Sequence, residues 1–499
     1  VLHHLYIETE LPNWFETLQN DFKLNFENPI LHPEIYRKCK VTWDSTVLNN
    51  CGFREKGNSS NSMVQYGKKK PYKISFDEFE NQQLEGLKKI NLNNFTNDPS
   101  LLHDALSLKL LRDAGLVAPR TSYIKLWVNG EYIGLYLAIE NVDKEFLKFH
   151  YGSSKNDGNL YKTDRGASVP LNWKGKQSKF YEEQGLKLNT NETDTNWIKL
   201  ISFINLINND YSKDFKQKLE ASFDVHSYLK ILAIEKCIRS FDSYWGGGNN
   251  FYLYEHPDGK IRWIPWDMNE TFQDIKILSG TSLLTGYLVP ANKYDERPLL
   301  KRIFEIDEYK TEYLDFVCEF IQNNYSVEKL GKFALARHNL ISEAYQIDSF
   351  KNNSYKSFQN SLTEEHEDVF SITLKPTAYG LRMRYPGIFP FIQTQRQWAV
   401  EQMKGWDYTC SIRNNSIYNL IVYPNPALSE VKIFNEVSDF DFAQFKLYNF
   451  NGKLILETKF DWLHGEYYML PLENISAGIY LLMKISADGK IGRAKVILK

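Results

Sequence analysis

From residue 419 to residue 499, apolar and polar residues alternate, and turn pairs such as Asn451-Gly452 and Ala477-Gly478 interrupt the pattern. Period-two alternation puts successive side chains on opposite faces of an extended strand and offers no apolar stripe to a helix. This stretch is therefore restricted to strands and turns, and its turn spacing predicts a small all-β sandwich of about seven strands. Residues 411–418, including the polar run from Ser411 to Ser416, read as the linker before it. Residues 1–410 must then form a structure of their own.

That larger part reads as α+β. Tyr36 to Trp43 and Val47 to Arg54 form an alternating pair, and Tyr72-Lys73-Ile74-Ser75-Phe76 alternates cleanly. Asp98-Pro99-Ser100 starts a helix that the apolar spacing of Leu101, Ala105, Leu108 and Leu111 carries to Gly115. Thr121–Val128 and Tyr132–Ile139 are strands joined by the hairpin pair Asn129-Gly130, and Asn141-Val142-Asp143 opens a short helix. The segment 195–240 is helical by periodicity. A hairpin follows, Phe251–Tyr254 and Ile261–Ile264 around Pro257-Asp258-Gly259, and residues 298 to about 405 return to helix. Residues 1–142 and 143–410 thus differ in character, strand-rich before and helix-rich after.

Charge excludes some classes of partner. The chain holds 60 Lys and Arg against 62 Asp and Glu, so nothing directs it to nucleic acid or an anionic membrane. No run approaches the roughly 18 apolar residues of a transmembrane segment. Aromatic residues make up 15% of the chain, enough for a sizeable core. The five cysteines show no metal-like spacing. Cys39 and Cys51 could face each other across a hairpin and form a disulfide in an oxidising compartment, or stay as buried thiols. There is no zinc-protease, P-loop or serine-hydrolase signature.

One constellation carries chemistry. Asp242 lies in a loop after a helix, Asn249 and Asn250 precede a strand, and Asp267 follows the return strand. Phosphoryl transfer needs one carboxylate to orient and deprotonate the hydroxyl, and a second, helped by an amide oxygen, to hold Mg²⁺ on the phosphates. Asp242 then fits the base, Asn250 (with Asn249 the weaker choice) a metal ligand, and Asp267 the main metal ligand. The bland alternative is a turn carboxylate beside a flexible Gly-Gly-Gly-Asn-Asn loop.

From about Ile7 to Met403 the chain resembles the spore coat protein H kinase family. Arg54-Glu55-Lys56-Gly57-Asn58-Ser59-Ser60 is similar to a family loop of the form R-x-R/K-G-N-S-S. Ala114 to Arg120, Val128 to Tyr136, Gly158-Asn159-Leu160-Tyr161-Lys162, Asp242-Ser243-Tyr244, Asn250 to Tyr254 and Pro265-Trp266-Asp267-Met268-Asn269 match in order. The resemblance implies a two-lobed, atypical protein-kinase-like domain, with an N-lobe over about 1–142 and a C-lobe over about 143–410. It implies transfer of phosphate from ATP, with Mg²⁺ or Mn²⁺, to serine or threonine of secreted or surface proteins. Lys73 would pair with the nucleotide phosphates, its alternative being one more solvated lysine beside Lys68, Lys69 and Lys70. Asp104 would be the carboxylate partner of Lys73. Arg54, Asn58, Ser59 and Ser60 would line the phosphates, and Glu140 and Val142 the adenine hinge. The chain departs from ordinary kinases: Arg239-Ser240-Phe241-Asp242 replaces H-R-D, and Asp267-Met268-Asn269 replaces D-F-G. Two other readings stay open, a surface interaction protein that lost the chemistry and a nucleotidyl transferase.

Val422-Tyr423-Pro424-Asn425-Pro426, Leu447 to Lys453 and Ile475 to Tyr480 resemble the type A sorting domain of the type IX secretion system. That likeness implies export through periplasm and outer membrane to the surface or beyond, with the secretion machinery as a partner.

Overall fold

The computed structural model describes residues 1–64, 67–164, 166–193, 197–277, 288–289, 296–370, 381–410, 417–434, 443–460, 467–486 and 491–499. The stretch Ser411 to Ser416 expected as linker lies outside them. Contacts divide the chain into two compact units, residues 1–317 with 336–387, and residues 318–335 with 388–499.

The first unit opens with β1 (Leu2–Glu8), α1 (Trp14–Glu27), β2 (Arg37–Trp43), β3 (Thr46–Glu55), the one-turn α2 (Ser59–Ser62), β4 (Tyr72–Ser75), β5 (Lys89–Asn93), α3 (His103–Asp113), β6 (Thr121–Val128) and β7 (Glu131–Glu140). The strands close into a barrel in the order β1-β2-β3-β4-β5-β7-β6. Closure comes from β1 lying parallel to β6, with Leu2 opposite Tyr123 and Ile7 opposite Val128. Alternation drives the packing: Leu5 and Ile7 are buried while Tyr6 between them is exposed. They join Val41, Phe53, Tyr72, Ile74, Leu92, Ile124 and Tyr136 in one core, with Trp14 and Leu18 of α1 packed into it. Each such side chain contributes about 1.5–3 kcal/mol by leaving water. Asn129 and Gly130 both have positive φ, as a tight hairpin turn between β6 and β7 requires.

The opening strand β1 and helix α1 escaped the sequence reading, because a parallel closing strand carries no turn signal. Cys39 and Cys51 do face each other as register partners of β2 and β3, but both are free buried thiols. The lysine run is a further departure from expectation. Lys69 is buried in an ion pair with Asp348, and Lys70 donates to the carbonyls of Asn61 at 2.8 Å and Val64 at 2.5 Å. Asp348 also accepts from the Leu135 N–H at 3.0 Å. It lies so close to Gly134, at φ +132°, that a Cβ there would collide with its carboxylate.

The chain continues through α4 (Lys144–Tyr151), β8 (Leu160–Thr163), α5 (Lys179–Glu182), β9 (Leu186–Leu188), α6 (Ile198–Asn209), α7 (Phe215–Ser222), α8 (Val225–Cys237), β10 (Phe251–Glu255), β11 (Ile261–Pro265), β12 (Asp274–Ile277), α9 (Pro298–Phe304) and α10 (Asp307–Asn323). Asp143 caps α4, accepting from the N–H of Glu145 at 3.0 Å and of Phe146 at 3.1 Å. The strands make a sheet ordered β11-β10-β8-β9. Next come α11 (Val327–Gln346), α12 (Tyr355–Asn360), β13 (His366–Phe370), β14 (Leu381–Tyr385) and α13 (Ile388–Lys404). β12, β14 and β13 form a small sheet, so the stretch read as mostly helical contains two strands.

In the second unit, β15 (Ile417–Asn419), β16 (Ile421–Tyr423), β17 (Glu430–Phe434), β18 (Ala443–Asn449), β19 (Leu454–Phe460), β20 (Tyr467–Pro471), β21 (Gly478–Ser486) and β22 (Ile491–Leu498) build two sheets, β15-β22-β21-β18-β19 and β16-β17-β20. Val431, Ile433 and Leu470 from one sheet share a core with Phe445, Leu447, Leu482 and Val496 from the other. The described residues hold eight strands where about seven were expected. A disulfide joins Cys318 to Cys410, with Cα atoms 5.6 Å apart.

Candidate active site

The loop after α8 is wound tightly, not slack as a triple-glycine run suggests. The N–H of Gly247 donates to the Phe241 carbonyl at 3.2 Å and that of Gly248 to the Ser243 carbonyl at 2.9 Å. A Cβ on Gly246 would strike the Phe241 carbonyl, so the turn needs glycine there. Arg297 fastens the outside, donating to the carbonyls of Tyr244 at 2.6 Å and Gly246 at 2.7 Å.

This winding brings two amides onto one carboxylate. Asn249 Nδ2 donates to Asp242 Oδ1, and Asn250 Nδ2 donates to Asp242 Oδ2 and to its carbonyl, each at 2.8 Å. Asn250 then enters β10, and the Trp266 N–H donates to its carbonyl at 3.1 Å across the hairpin mouth. Asp267 follows immediately. Asn250 and Asp267 both adopt left-handed φ near +55°, a strained conformation for residues with a side chain and one that clusters at functional sites.

Helix α3 fixes the Asp267 turn. Asp98 accepts from the N–H groups of Ser100, Leu101 and His103, starting the helix. Residues 103, 104 and 107 then share one face and meet the 268–271 segment. Asp104 Oδ1 accepts from the Met268 N–H at 3.1 Å and its Oδ2 from Asn93 at 3.0 Å. His103 Nδ1 donates to the Asn269 carbonyl at 3.0 Å, and Ser107 and Thr271 hydroxyls bond at 3.0 Å.

Three buried carboxylates here, Asp104, Asp267 and Glu270, are raised above the usual carboxylate range. Burial, then the charge of Asp267, raises Asp104 to about 7. Burial raises Glu270 to about 7, with Asp242 and Asp267 adding to the rise and Gln273 and Asn97 opposing it. Asp267 is raised by burial and by Asp242, against Lys56 and Lys162. Opposite stand cations that repel each other. Burial lowers Lys56 to about 8, Lys162 and Arg54 lowering it further while Asp267 and Asp104 pull it up. Burial, with Arg54 and Lys162, holds Lys73 well below the lysine range. Lys162 is lowered by burial and by Arg54, against Glu34, Asp164 and Asp267.

The cation that Asp104 faces is thus Lys56, not Lys73. Lys73 lies opposite Arg54 in the β3–β4 register, under the influence of Glu34, whereas Lys56 follows the end of β3. Arg54 is engaged, donating to Glu34 at 2.5 Å and to the Glu55 carbonyl at 2.9 Å. Asn58 precedes α2, Ser59 is exposed, and the Ser60 carbonyl accepts from Asn94 and Thr96 at 3.2 Å. The Glu140 carboxylate is bound by Arg120 at 2.7 Å and His150 at 3.4 Å. Val142 is buried beside Phe146, Leu160, Tyr252 and Ile264, its carbonyl accepting from Asn189 at 2.9 Å. Sequence reasoning missed Lys56, Lys162 and Glu270. The two lysines sit inside family-like segments, and Glu270 directly follows one.

The donors suit a hard divalent cation: carboxylates and amide oxygens, with no thiolate or imidazole needed. Asn249 Oδ1 is a buried acceptor with no hydrogen-bond partner. Among the described residues no three His, Cys, Asp or Glu side chains converge on one ion position.

A family profile described as CotH kinase protein matches residues 53–370, and one described as a secretion system C-terminal sorting domain matches residues 421–499. The chain is 27% identical over 294 residues to the inner spore coat protein H of Bacillus subtilis, covering 58% of this chain and 77% of that protein. It is 22% identical over 297 residues to spore coat protein homolog 1 of Rhizopus delemar, and 21% over 269 residues to invasin CotH2 of the same fungus. It spans 46% and 44% of those two proteins.

Proposed function

The chain belongs to the CotH kinase protein family and carries a C-terminal secretion sorting domain, and from that premise we propose that it is an exported, two-lobed atypical kinase. Its reaction is transfer of phosphate from ATP to serine or threonine of secreted or surface proteins. The carrying observation is the convergence of Asp242, Asn249, Asn250 and Asp267 at the mouth of one hairpin, with the buried cations Lys56 and Lys162 acting on Asp267. Asp242, oriented by both amides and with a lone pair left on each oxygen, receives the proton of the attacking hydroxyl. Mg²⁺ or Mn²⁺ held by Asp267 and an asparagine amide oxygen would neutralise the phosphates. Lys56, Lys73 and Lys162 supply positive charge to the same phosphates, and Asp104 holds the Asp267 turn in place. The sorting domain implies export; type IX passage to the cell surface or medium completes the reading.

Incubation with labelled ATP and Mg²⁺ or Mn²⁺, with Asp267→Ala as control, tests it. Label in the wild type alone, with an intact-mass gain of phosphate, supports the kinase. A gain of nucleotide would indicate nucleotidyl transfer. No label, together with no nucleotide-dependent thermal shift, would leave a surface interaction protein.

A further inference from the structure

We propose that the sorting sandwich is a docked cap and not a swinging tail. The outer face of its small sheet, β16-β17-β20, is an interaction surface whose partner is the helix pair α11 and α13. Its large sheet is the face left open to other molecules. This goes beyond the kinase reading and does not rest on it.

Alternation along the strands sets the faces. Leu420, Val422, Val431 and Ile433 point into the sandwich core, where Phe445 and Leu482 also lie. Ile421 and Phe434, one residue out of step, belong to the outer face and pair across β16 and β17. The outer face of a sandwich ordinarily meets water and carries polar residues. These two are apolar, and they are only 7% and 1% exposed. Ile479 and Leu481, outward residues of β21 in the large sheet, are 49% and 44% exposed. Burial on the small sheet follows its register. The row Ile421, Phe434 and Tyr467 is buried or half-buried. In the next row Tyr423 and Lys432 are half-buried and Met469 is exposed, and beyond it Glu430 and Pro471 are exposed.

The cover comes from Gly331 of α11 and Phe389 of α13, within the same compact unit. A Cβ on Gly331 would collide with Ile421 Cδ1 and would lie 3.6 Å from Phe389 Cε1. Phe389, fully buried, meets Phe434 edge to face, with centroids 5.2 Å apart and planes at 73°. Glycine is the poorest helix former after proline, and inside the 20-residue α11 it leaves the room that Ile421 fills. α11 lies in the CotH-matching stretch and β17 in the sorting domain, so the contact ties the two family regions together. The apolar surfaces stay out of water only while the two parts remain together. Undocking must therefore precede any use of the small sheet's covered end by another partner, whereas Ile479 and Leu481 are open throughout.

Hydrogen–deuterium exchange on the full chain tests the docking. Phe434→Ser removes an outer-face ring and leaves the sandwich core intact. Amides of α13 around Phe389 and of α11 around Gly331 should then exchange about tenfold faster or more, while those of β18 and β21 keep their wild-type rates. Gly331→Leu overfills the contact from the helix side. It should raise exchange in β16 and β17 and again spare β18 and β21, and it decides the matter should Phe434→Ser unfold the sandwich. A folded Phe434→Ser variant with α11 and α13 at wild-type rates, or a Gly331→Leu variant with β16 and β17 unchanged, would overturn the docking and leave a free tail.

Discussion

Asp104 on α3 accepts a hydrogen bond from the backbone N–H of Met268 at 3.1 Å, 164 residues further along the chain. The helix thereby sets the direction in which Asp267, one residue earlier, presents its carboxylate. The bond is local geometry, but Asp104 also adds negative charge to a crowded site.

Substitution separates these two roles. In Asp104→Asn an oxygen still accepts from Met268, and Asn93 can turn its amide over to match. This variant should keep its fold, melt about 2 °C higher above pH 7 as a repelling charge disappears, and lose roughly tenfold in phosphotransfer. Asp104→Ala leaves two buried donors unmatched and should cost about 2–4 kcal/mol. Thermal melts in parallel with transfer assays check both. An Asn variant that melts as low as the Ala variant would show that charge holds the turn.

Lys56→Met and Lys73→Met should differ. Lys56 faces both Asp267 and Asp104, whereas Lys73 is set among Arg54, Lys162 and Glu34. Losing Lys56 should raise the KM for ATP by about tenfold, equivalent to about 1.4 kcal/mol. Losing Lys73 should change it less. Neither should lower the melting midpoint, because each removes a desolvated cation. A larger effect at Lys73 would return it to the role its sequence context suggests.

Stability should fall in acid partly through His338. Its ring stacks on Phe358 with centroids 3.9 Å apart, and Nε2 donates to the Phe358 carbonyl at 2.9 Å. Burial lowers its pKa from 6.5 to about 4. The unfolded chain therefore binds the proton more readily, and the stability present above pH 6.5 is lost as pH falls towards 4. The loss amounts to about 3 kcal/mol at most. His338→Gln keeps a donor for the carbonyl and removes the titration, so its midpoint should decline less steeply between pH 6.5 and 4.

Thiol titration in denaturant should find three free cysteines, Cys39, Cys51 and Cys237, and five after reduction. The Cys318–Cys410 bridge closes a separation of 92 residues. On chain entropy alone, reducing it should cost about 4.6 kcal/mol, less if the unfolded state stays compact. Calorimetry with and without reductant reads the difference.

What the sequence revealed follows the range of the forces involved. The hairpin β6–β7 and the cap at Asp143 announce themselves through turn chemistry; order along the chain singles out Asp242, Asn250 and Asp267 as candidates, and the fold places Asp242 and Asn250 in hydrogen-bond contact. The face-to-face pairing of Cys39 and Cys51 was readable from alternation, but their redox state was not. Which lysine meets which carboxylate depends on how the barrel closes, and no local pattern encodes that. Lys73 looked right because it sits on a strand; Lys56, at the end of β3, is the cation Asp104 faces. Asp348 carries no local signal at all, because its partner Lys69 lies 279 residues earlier.

That last distance has a consequence for how the molecule comes into being. The final barrel strand, β7, ends at Glu140, yet the counterion for Lys69 arrives only with residue 348. Until then a nascent or translocating chain holds an ammonium group with no anion to accompany it into the interior. A polypeptide stopped near residue 142 would contain every barrel strand and still lack what completes the barrel. The barrel is therefore completed by a residue that lies more than two hundred positions beyond its last strand.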